Sequence, residues 1–500
     1  MTPSVTPHSL LHRPSCLNIP LTEKKQLIGM VIDPNLISNL SNQLTDSKVL
    51  TPHSEGYAER LKRWSDCAIK QAGAVVLAGS AEDISRTVLF AQANSIKIAV
   101  CGGGHSAAGS SSIDGGIVID LSPMRGVTVD SNNKAATAQG GALWLDVDVA
   151  AETHGLATVG GTVNNTGIGG LTLGGGHGWL TGKYGQVVDN LLSVKLVLAD
   201  GSIATASEAE NSELFWAVRG AGQNFGVVVE FVYQLYEQPN PVWAGVLAFS
   251  PDKIEAVVQF ANHIEATTKG ESAIEFGFST PPSATEPAIV TAVFYDGVAT
   301  DALRVFAPLL SLEPIMNTTT EMPYSMVNGM LNPLVAPGDR RALHAATFFA
   351  PLDATFVRSL FNDFVELTQK IPGSGESVIL FEYIGRDKVR QVSPSAMAYA
   401  NRGEYYNAVL APKWSDSACD GELRASIKKM ANRIQSEAGK GNPKDVGKYA
   451  NYADFSNVHV PIQDMFGQNS EKLRMLKTKY DPGNVFSKWH NLLQPTAVST

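Results

Sequence analysis

Val100-Cys101-Gly102-Gly103-Gly104-His105-Ser106 decides the reading of this chain, because an apolar strand-like run opens into three glycines and closes on a histidine. A second glycine-dense stretch follows at Thr158-Val159-Gly160-Gly161-Thr162-Val163-Asn164-Asn165-Thr166-Gly167-Ile168-Gly169-Gly170, continued by Leu171-Thr172-Leu173-Gly174-Gly175-Gly176-His177-Gly178. Glycine tolerates positive φ and lets the main chain pass close to a ligand, so exposed N–H groups in such loops can cradle a pyrophosphate. Either run alone is a common turn. Two of them, one ending in histidine, find a shared explanation in a large phosphate-bearing cofactor gripped by loops.

Upstream, Ala74 to Ser80 reads as a short strand. Ser80 then caps a helix with Asp83 at the capping-box position and Ile84, Val88, Leu89 and Gln92 at helical spacing. Lys97 to Val100 and Ile117 to Leu121 are further strands, giving the order strand, helix, strand, glycine loop, strand. In the dinucleotide fingerprint the glycines open a helix directly, and no acidic residue ends a second strand at the distance that fingerprint requires. A P-loop is excluded because no Gly-Lys-Ser/Thr follows.

Five hundred residues exceed one ordinary core, so two domains are expected. A formal charge of −9 argues against a nucleic-acid partner. No run of eighteen apolar residues exists, so no membrane span is expected. Met1 to Pro20 carries prolines and His12-Arg13 in place of an apolar segment, and the expected location is intracellular, in the cytoplasm. Cys16, Cys67, Cys101 and Cys419 form no CxxC pair, which leaves neither a zinc site nor a disulfide framework, and no metal is expected.

Leu192, Val194, Leu196 and Leu198 alternate as in a strand, and Asp200-Gly201 turns the chain into Ile203 and Thr205. A valine-rich strand at Gly226 to Tyr236 ends at the boundary Pro239-Asn240-Pro241. Beyond it, helices are expected from Ser250-Pro251 and near Ala302–Leu310, Thr355–Leu367 and Leu423–Ile434. Strand-like pieces fall at Ile274–Phe278, Ile289–Phe294, Val378–Tyr383 and Tyr405–Leu410. A sheet covered by helices accommodates residues 239–440. A last helix runs from Asn469 to Tyr480 and stops at Asp481-Pro482-Gly483.

Gly102-Gly103-Gly104-His105-Ser106 followed by Asp114-Gly115-Gly116-Ile117-Val118-Ile119-Asp120-Leu121-Ser122 resembles the flavin loop of the p-cresol methylhydroxylase/vanillyl-alcohol oxidase superfamily. The nearest branch is that of the berberine bridge enzyme-like oxidases and 6-hydroxy-D-nicotine oxidase. The likeness resumes at Leu171 to Gly185, Asn190 to Gly201 and Arg219 to Glu230, and closes with Tyr449-Ala450-Asn451-Tyr452-Ala453-Asp454 and Lys479-Tyr480-Asp481-Pro482-Gly483-Asn484-Val485-Phe486. It covers nearly the whole chain from Ala74, the middle third being least diagnostic. The implied fold is an α+β two-domain flavoprotein. A discontinuous FAD-binding domain takes residues 1–238, with its core at about 70–238, and residues 441–500. A substrate domain takes residues 239–440, with an antiparallel sheet covered by helices.

The resemblance implies that His105 bonds to the flavin 8α-methyl carbon, and an alkylated imidazole withdraws electrons and raises the flavin potential. Many relatives add a cysteinyl link at the place of Val163. Valine cannot form it, so attachment through His105 alone is implied. Cys101 stands where relatives commonly have arginine and reads as a packing thiol. Gly102, Gly103, Gly104, Ser106, Gly109, Gly160, Gly161, Asn165, Thr166, Gly169, Gly170, Gly174, Gly175, Gly176, Gly226, Val228 and Asn451 complete the implied cofactor set. His177 is expected to pack beside the cofactor.

In relatives the tyrosine at the place of Tyr452 lies over the flavin and takes a substrate proton, and Glu382 is a second candidate base. An extended segment would turn Tyr449 and Asn451 one way, Ala450 and Tyr452 the other. Lowering the phenol pKa calls for a cation, and Arg402 and Lys413 are the candidates. Asn401 departs from the histidine frequent at its place. The implied function is oxidation of a small organic molecule in specialised metabolism, with hydride passing to FAD and then to oxygen. Thr166, small where relatives tune oxygen access, favours an oxidase over a dehydrogenase. A non-redox isomerase or cyclase retaining FAD is the other alternative.

Overall fold

A computed structural model describes residues 32–281, 284–438, 448–452 and 461–493. Four short strands begin the fold: β1 (Lys48–Leu50), β2 (Ala74–Leu77), β3 (Ile98–Cys101) and β4 (Ile117–Asp120), in the order β1-β2-β4-β3. β4 runs parallel to both β2 and β3, and helix α1 (Ala81–Ala93) makes the crossover between β2 and β3. Ser80 Oγ accepts from Asp83 N at the start of α1, but the box does not close. The Asp83 carboxylate turns instead to the backbone N–H groups of Thr45 and Asp46 and to Arg86. It ties α1 to the preceding segment.

A second, antiparallel sheet has the order β5-β6-β9-β7-β8, with β5 (Val127–Asp130), β6 (Ala135–Gln139), β7 (Leu191–Val197), β8 (Ile203–Ser207) and β9 (Val227–Gln234). Helices α2 (Trp144–Glu152), α3 (Ile168–Leu173) and α4 (Ser212–Ala221) fall between its strands in sequence.

A third sheet follows the proline boundary. Its long strands are β10 (Val242–Phe249), β11 (Ser272–Ser279), β12 (Ala288–Tyr295), β13 (His344–Phe348), β14 (Val378–Tyr383) and β15 (Tyr406–Ala411), all antiparallel, in the order β10-β12-β11-β14-β15-β13. Short pieces at Met316–Asn317 and Thr320–Met322 extend the edge beside β10. Helices α5 (Ile254–Thr267), α6 (Ala299–Leu310), α7 (Ala354–Lys370) and α8 (Asp420–Arg433) cover one face. Side chains alternate across a strand, so Ile274, Phe276, Phe278, Ile379, Phe381 and Tyr383 pack under those helices. Glu275, Val378, Leu380 and Glu382 project from the opposite face, toward the first half of the chain.

In this sheet the long strands missing from the sequence reading, β10 and β13, have plain causes. β10 is apolar without alternation because it is buried on both faces, and it starts directly at the prolines that signal a boundary. β13 is short and alanine-rich. The last helix, α9 (Ser470–Tyr480), packs on α4, and Lys477 beneath it donates to Asn224 O and Phe486 O while pairing with Asp481.

Candidate active site

The two glycine runs meet back to back. A Cβ on Gly103 would stand 2.3 Å from Gly167 N, and one on Gly167 2.4 Å from Gly103 N, so only hydrogen fits at either position. Gly104, at φ +70°, turns the chain so that His105 faces the resulting cavity, and its carbonyl accepts from Trp64 N. The His105 ring lies near-parallel to Trp64, 5.9 Å between centroids, with Asn165 beside it. Loss of solvation depresses the His105 pKa to about 4, which leaves a neutral, nucleophilic imidazole at neutral pH. Neighbouring Cys101 is buried, and burial pushes its thiol up to about 11, so no thiolate competes there.

The cavity, about 290 Å³, runs from this loop past Thr166, Gly169 and Leu171 to the third sheet. Gly102, Gly103, Gly104, His105, Ser106, Thr166, Gly169, Gly170, Gly226, Val228 and Asn451 all line it. Val163 does too, presenting an aliphatic side chain. Phe486, Lys488 and Trp489 line it as well; Phe486 closes a motif quoted for the family likeness but was given no site role, and Lys488 and Trp489 lie just beyond that motif.

Other members of the expected cofactor set stand back from it. Cβ atoms at Gly160 and Gly161 would strike Trp144 and Leu171; those at Gly174, Gly175 and Gly176 would meet Asn451, Tyr399 and Val187. These glycines serve close packing of protein on protein, with φ of +122° and +76° at Gly175 and Gly176. Gly109 adopts φ +74° in the turn after His105, and Asn165 lies beside the histidine.

At the sheet end the polar groups converge. Tyr452 OH donates to Glu382 Oε1 at 2.7 Å, and Glu382 Oε2 lies 3.0 Å from His177 Nε2. Glu275 faces Glu382 across the β11–β14 register, lines the same cavity, and has a buried Oε1 without a partner among the described residues. Burial and the facing Glu382 carboxylate hold Glu275 well above the usual carboxylate range. The sequence reading overlooked Glu275. A single glutamate on a strand carries no motif, and only strand pairing sets it beside Glu382.

Three expectations fail here. Ala450 to Tyr452 form a 3-10 turn, so Tyr449 and Tyr452 share one face: their rings lie 4.8 Å apart and both contact His177. Asn451 Nδ2 donates to Leu171 O and Tyr449 OH. Neither candidate cation reaches Tyr452. Arg402 pairs with Asp189, and Lys413 with Asp339 and Glu376. The phenol is accordingly held well above its ordinary value, by burial and then by the Glu382 charge. His177 is more than packing, since it bonds to Glu382. Ala453 and Asp454 lie outside the described residues.

A loop-built cavity with a nucleophilic histidine at one end, roofed by an antiparallel sheet bearing carboxylates, defines a flavin-linked enzyme of α+β two-domain type. Comparison with known proteins agrees. The family model described as "FAD binding domain" matches residues 72–207, and that described as "Berberine and berberine like" matches residues 448–492. The FAD-linked oxidoreductase pgmH of Aspergillus terreus is 34% identical over 484 residues, covering 92% of this chain and 96% of that protein. FAD-linked oxidoreductase hasG of Aspergillus fumigatus is 32% identical, covering 89% and 97%. Among solved structures, 6-hydroxy-D-nicotine oxidase from Arthrobacter nicotinovorans superposes with a TM-score of 0.78 at 26% identity, covering 90% of this chain and 98% of that one. The chain belongs to the berberine bridge enzyme-like FAD-linked oxidoreductases. Among the described residues, no helix is long and apolar enough to cross a membrane.

Proposed function

We propose that this protein is an oxidase of a small organic molecule in specialised metabolism, with FAD attached through His105 alone. What carries the reading is one cavity holding both the His105 loop and the hydrogen-bonded array Tyr452–Glu382–His177. The residues fit the cofactor: glycine loops free of side chains, a neutral imidazole, and valine at position 163. Bound FAD would supply the two-electron acceptor for a substrate hydride and return the electrons to oxygen as hydrogen peroxide.

Tyr452 and Glu382 act together. A phenol held above its ordinary pKa is no standing base, so Tyr452 takes a substrate proton only as its own proton moves to Glu382 Oε1, 2.7 Å away. Val378, Leu380, Val409 and Ala411 form the adjoining wall. That aliphatic surface suits a substrate with an apolar body.

The test is an anaerobic screen of candidate metabolites for bleaching of the flavin absorbance, followed by admission of air. Bleaching followed by peroxide release supports the oxidase. Bleaching that air does not reverse assigns another electron acceptor, and product formation without bleaching assigns non-redox chemistry.

A further inference from the structure

Behind the Tyr452–Glu382–His177 array, on the side away from the large cavity, lies a second cavity of about 10 Å³, space for one water molecule. Its lining includes His177, Gln186, Glu382, Arg386 and Asn407, each more than nine-tenths buried. Five polar atoms on these residues have no partner among the described residues: His177 Nδ1, Gln186 Nε2 and Oε1, Arg386 Nε and Asn407 Oδ1. Buried polar groups are seldom left unmet, and one partner that both donates and accepts can meet up to four of these five atoms. Water does both, and the space is polar and large enough for one.

Arg386 Nη2 donates to Asn401 O at 3.0 Å and Gly403 O at 3.3 Å. The Asn401 side-chain amide is buried, with neither its nitrogen nor its oxygen partnered among the described residues, and Glu404 beyond it is exposed. On the other side of Tyr452 the wall is the aliphatic one of Val378, Leu380, Val409 and Ala411, which cannot carry a proton, and Glu275 beside Glu382 is the carboxyl that also lines it.

We propose that the small cavity holds one water molecule, and that His177 passes the proton collected at Tyr452 and Glu382 to that water. The inference rests on the assignment of Tyr452 and Glu382 as proton acceptor. The step balances if one proton rests between Glu382 Oε2 and His177 Nε2: as a proton arrives at Oε1 this one passes fully to Nε2, and the imidazole releases its Nδ1 proton to the water, so the number held by the cluster is unchanged. Imidazole suits the task because it has two nitrogens: Nε2 lies 3.0 Å from Glu382 Oε2, and Nδ1, on a ring that lines the small cavity, is buried without a partner among the described residues. His177, Gln186 and Asn407 are thus positioning and relay residues.

Two measurements on the flavin-loaded full chain test this. A high-resolution crystal structure should show a water within hydrogen-bond distance of His177 Nδ1 and of Gln186 or Asn407. With 15N-histidine labelling, and the His177 signals assigned from His177→Gln, exchange of the His177 ring N–H with solvent should slow by at least about tenfold in Gln186→Met, which fills the space with apolar atoms. Asn407→Leu is a second filling variant, should the first fail to load flavin. A cavity without water density, or ring exchange unchanged in both filled variants, overturns the proposal. Tyr452→Phe separates the two readings: it leaves ring exchange unchanged, whereas survival of its flavin-reduction rate would sink the acceptor assignment alone.

Discussion

Replacing Glu382 by glutamine keeps the side-chain volume and an oxygen for the Tyr452 hydroxyl, yet the amide cannot take a proton. Tyr452→Phe keeps the ring and removes the hydroxyl. A positioned general base contributes ~10²–10⁴ in rate, so each variant should slow anaerobic flavin reduction by that range, roughly 3–5 kcal/mol of barrier. The structure adds a sharper expectation. Tyr452 has no cation beside it and is held above its ordinary pKa, so it depends on the carboxylate 2.7 Å away. Residues that act as one unit are non-additive, and Tyr452→Phe/Glu382→Gln should fall within about tenfold of the slower single variant. Independent effects would multiply to ~10⁴ or more. The assay is stopped-flow bleaching at saturating substrate, with each rate referred to bound flavin. The reduction rate should also show no rise between pH 8 and about 10 from phenol ionisation, because the raised pKa lies beyond that window. Multiplicative losses, or a parent-like rate in Glu382→Gln beside a crippled Tyr452→Phe, would show that the two groups do not form one relay.

His105→Ala should release its flavin on acid precipitation while the parent pellet stays yellow; free FAD from the parent would disprove the single covalent link. With its folded pKa at about 4, below the ordinary 6.5, His105 stays neutral as pH falls to 5.5, so flavin attachment to apoprotein should proceed about equally at pH 5.5 and 7.5; an ordinary imidazole would slow it about tenfold. Gly103→Ala should leave a folded protein without flavin, since the added Cβ collides with the Gly167 backbone; stoichiometric loading would show that the two loops can separate freely. Lys477→Met strands the buried Asp481 carboxylate and the carbonyls of Asn224 and Phe486, and should cost about 3–5 kcal/mol in denaturant unfolding. A loss under about 1 kcal/mol would mean that the tail is held mainly by its apolar face, Leu473 and Leu476.

How much of this was legible in the sequence depended on whether the signal was local. Gly103 and His105 could be read because close approach and a reactive side chain fall within four residues of one strand end. The Asp200-Gly201 turn and the strands on either side of it could be read because alternation and turn chemistry are local too. Gly174 to Gly176 looked like more of the same and are something else: their missing side chains make room for Asn451, Tyr399 and Val187, partners far off in sequence. Composition cannot tell a glycine that admits a cofactor from one that admits a neighbour. Tyr452 was singled out by its motif and Glu382 as an alternative base, but the hydrogen bond that joins them was not read. Three residues, Ala450 to Tyr452, form a 3-10 turn where an extended segment was expected, and Tyr449 comes to the same face. Arg402 and Lys413 were chosen as helpers for their charge, yet both are spent on nearer carboxylates. Glu275 and Gln186 carry no local mark at all. Their importance exists only once β11 lies beside β14 and the first half of the chain closes under the third sheet. The consequence for the proposed mechanism is chemical: Tyr452 has no cation beside it but has the Glu382 carboxylate within hydrogen-bond distance, and His177, which the sequence suggested was packing, bonds to that carboxylate and is where the proposed relay continues.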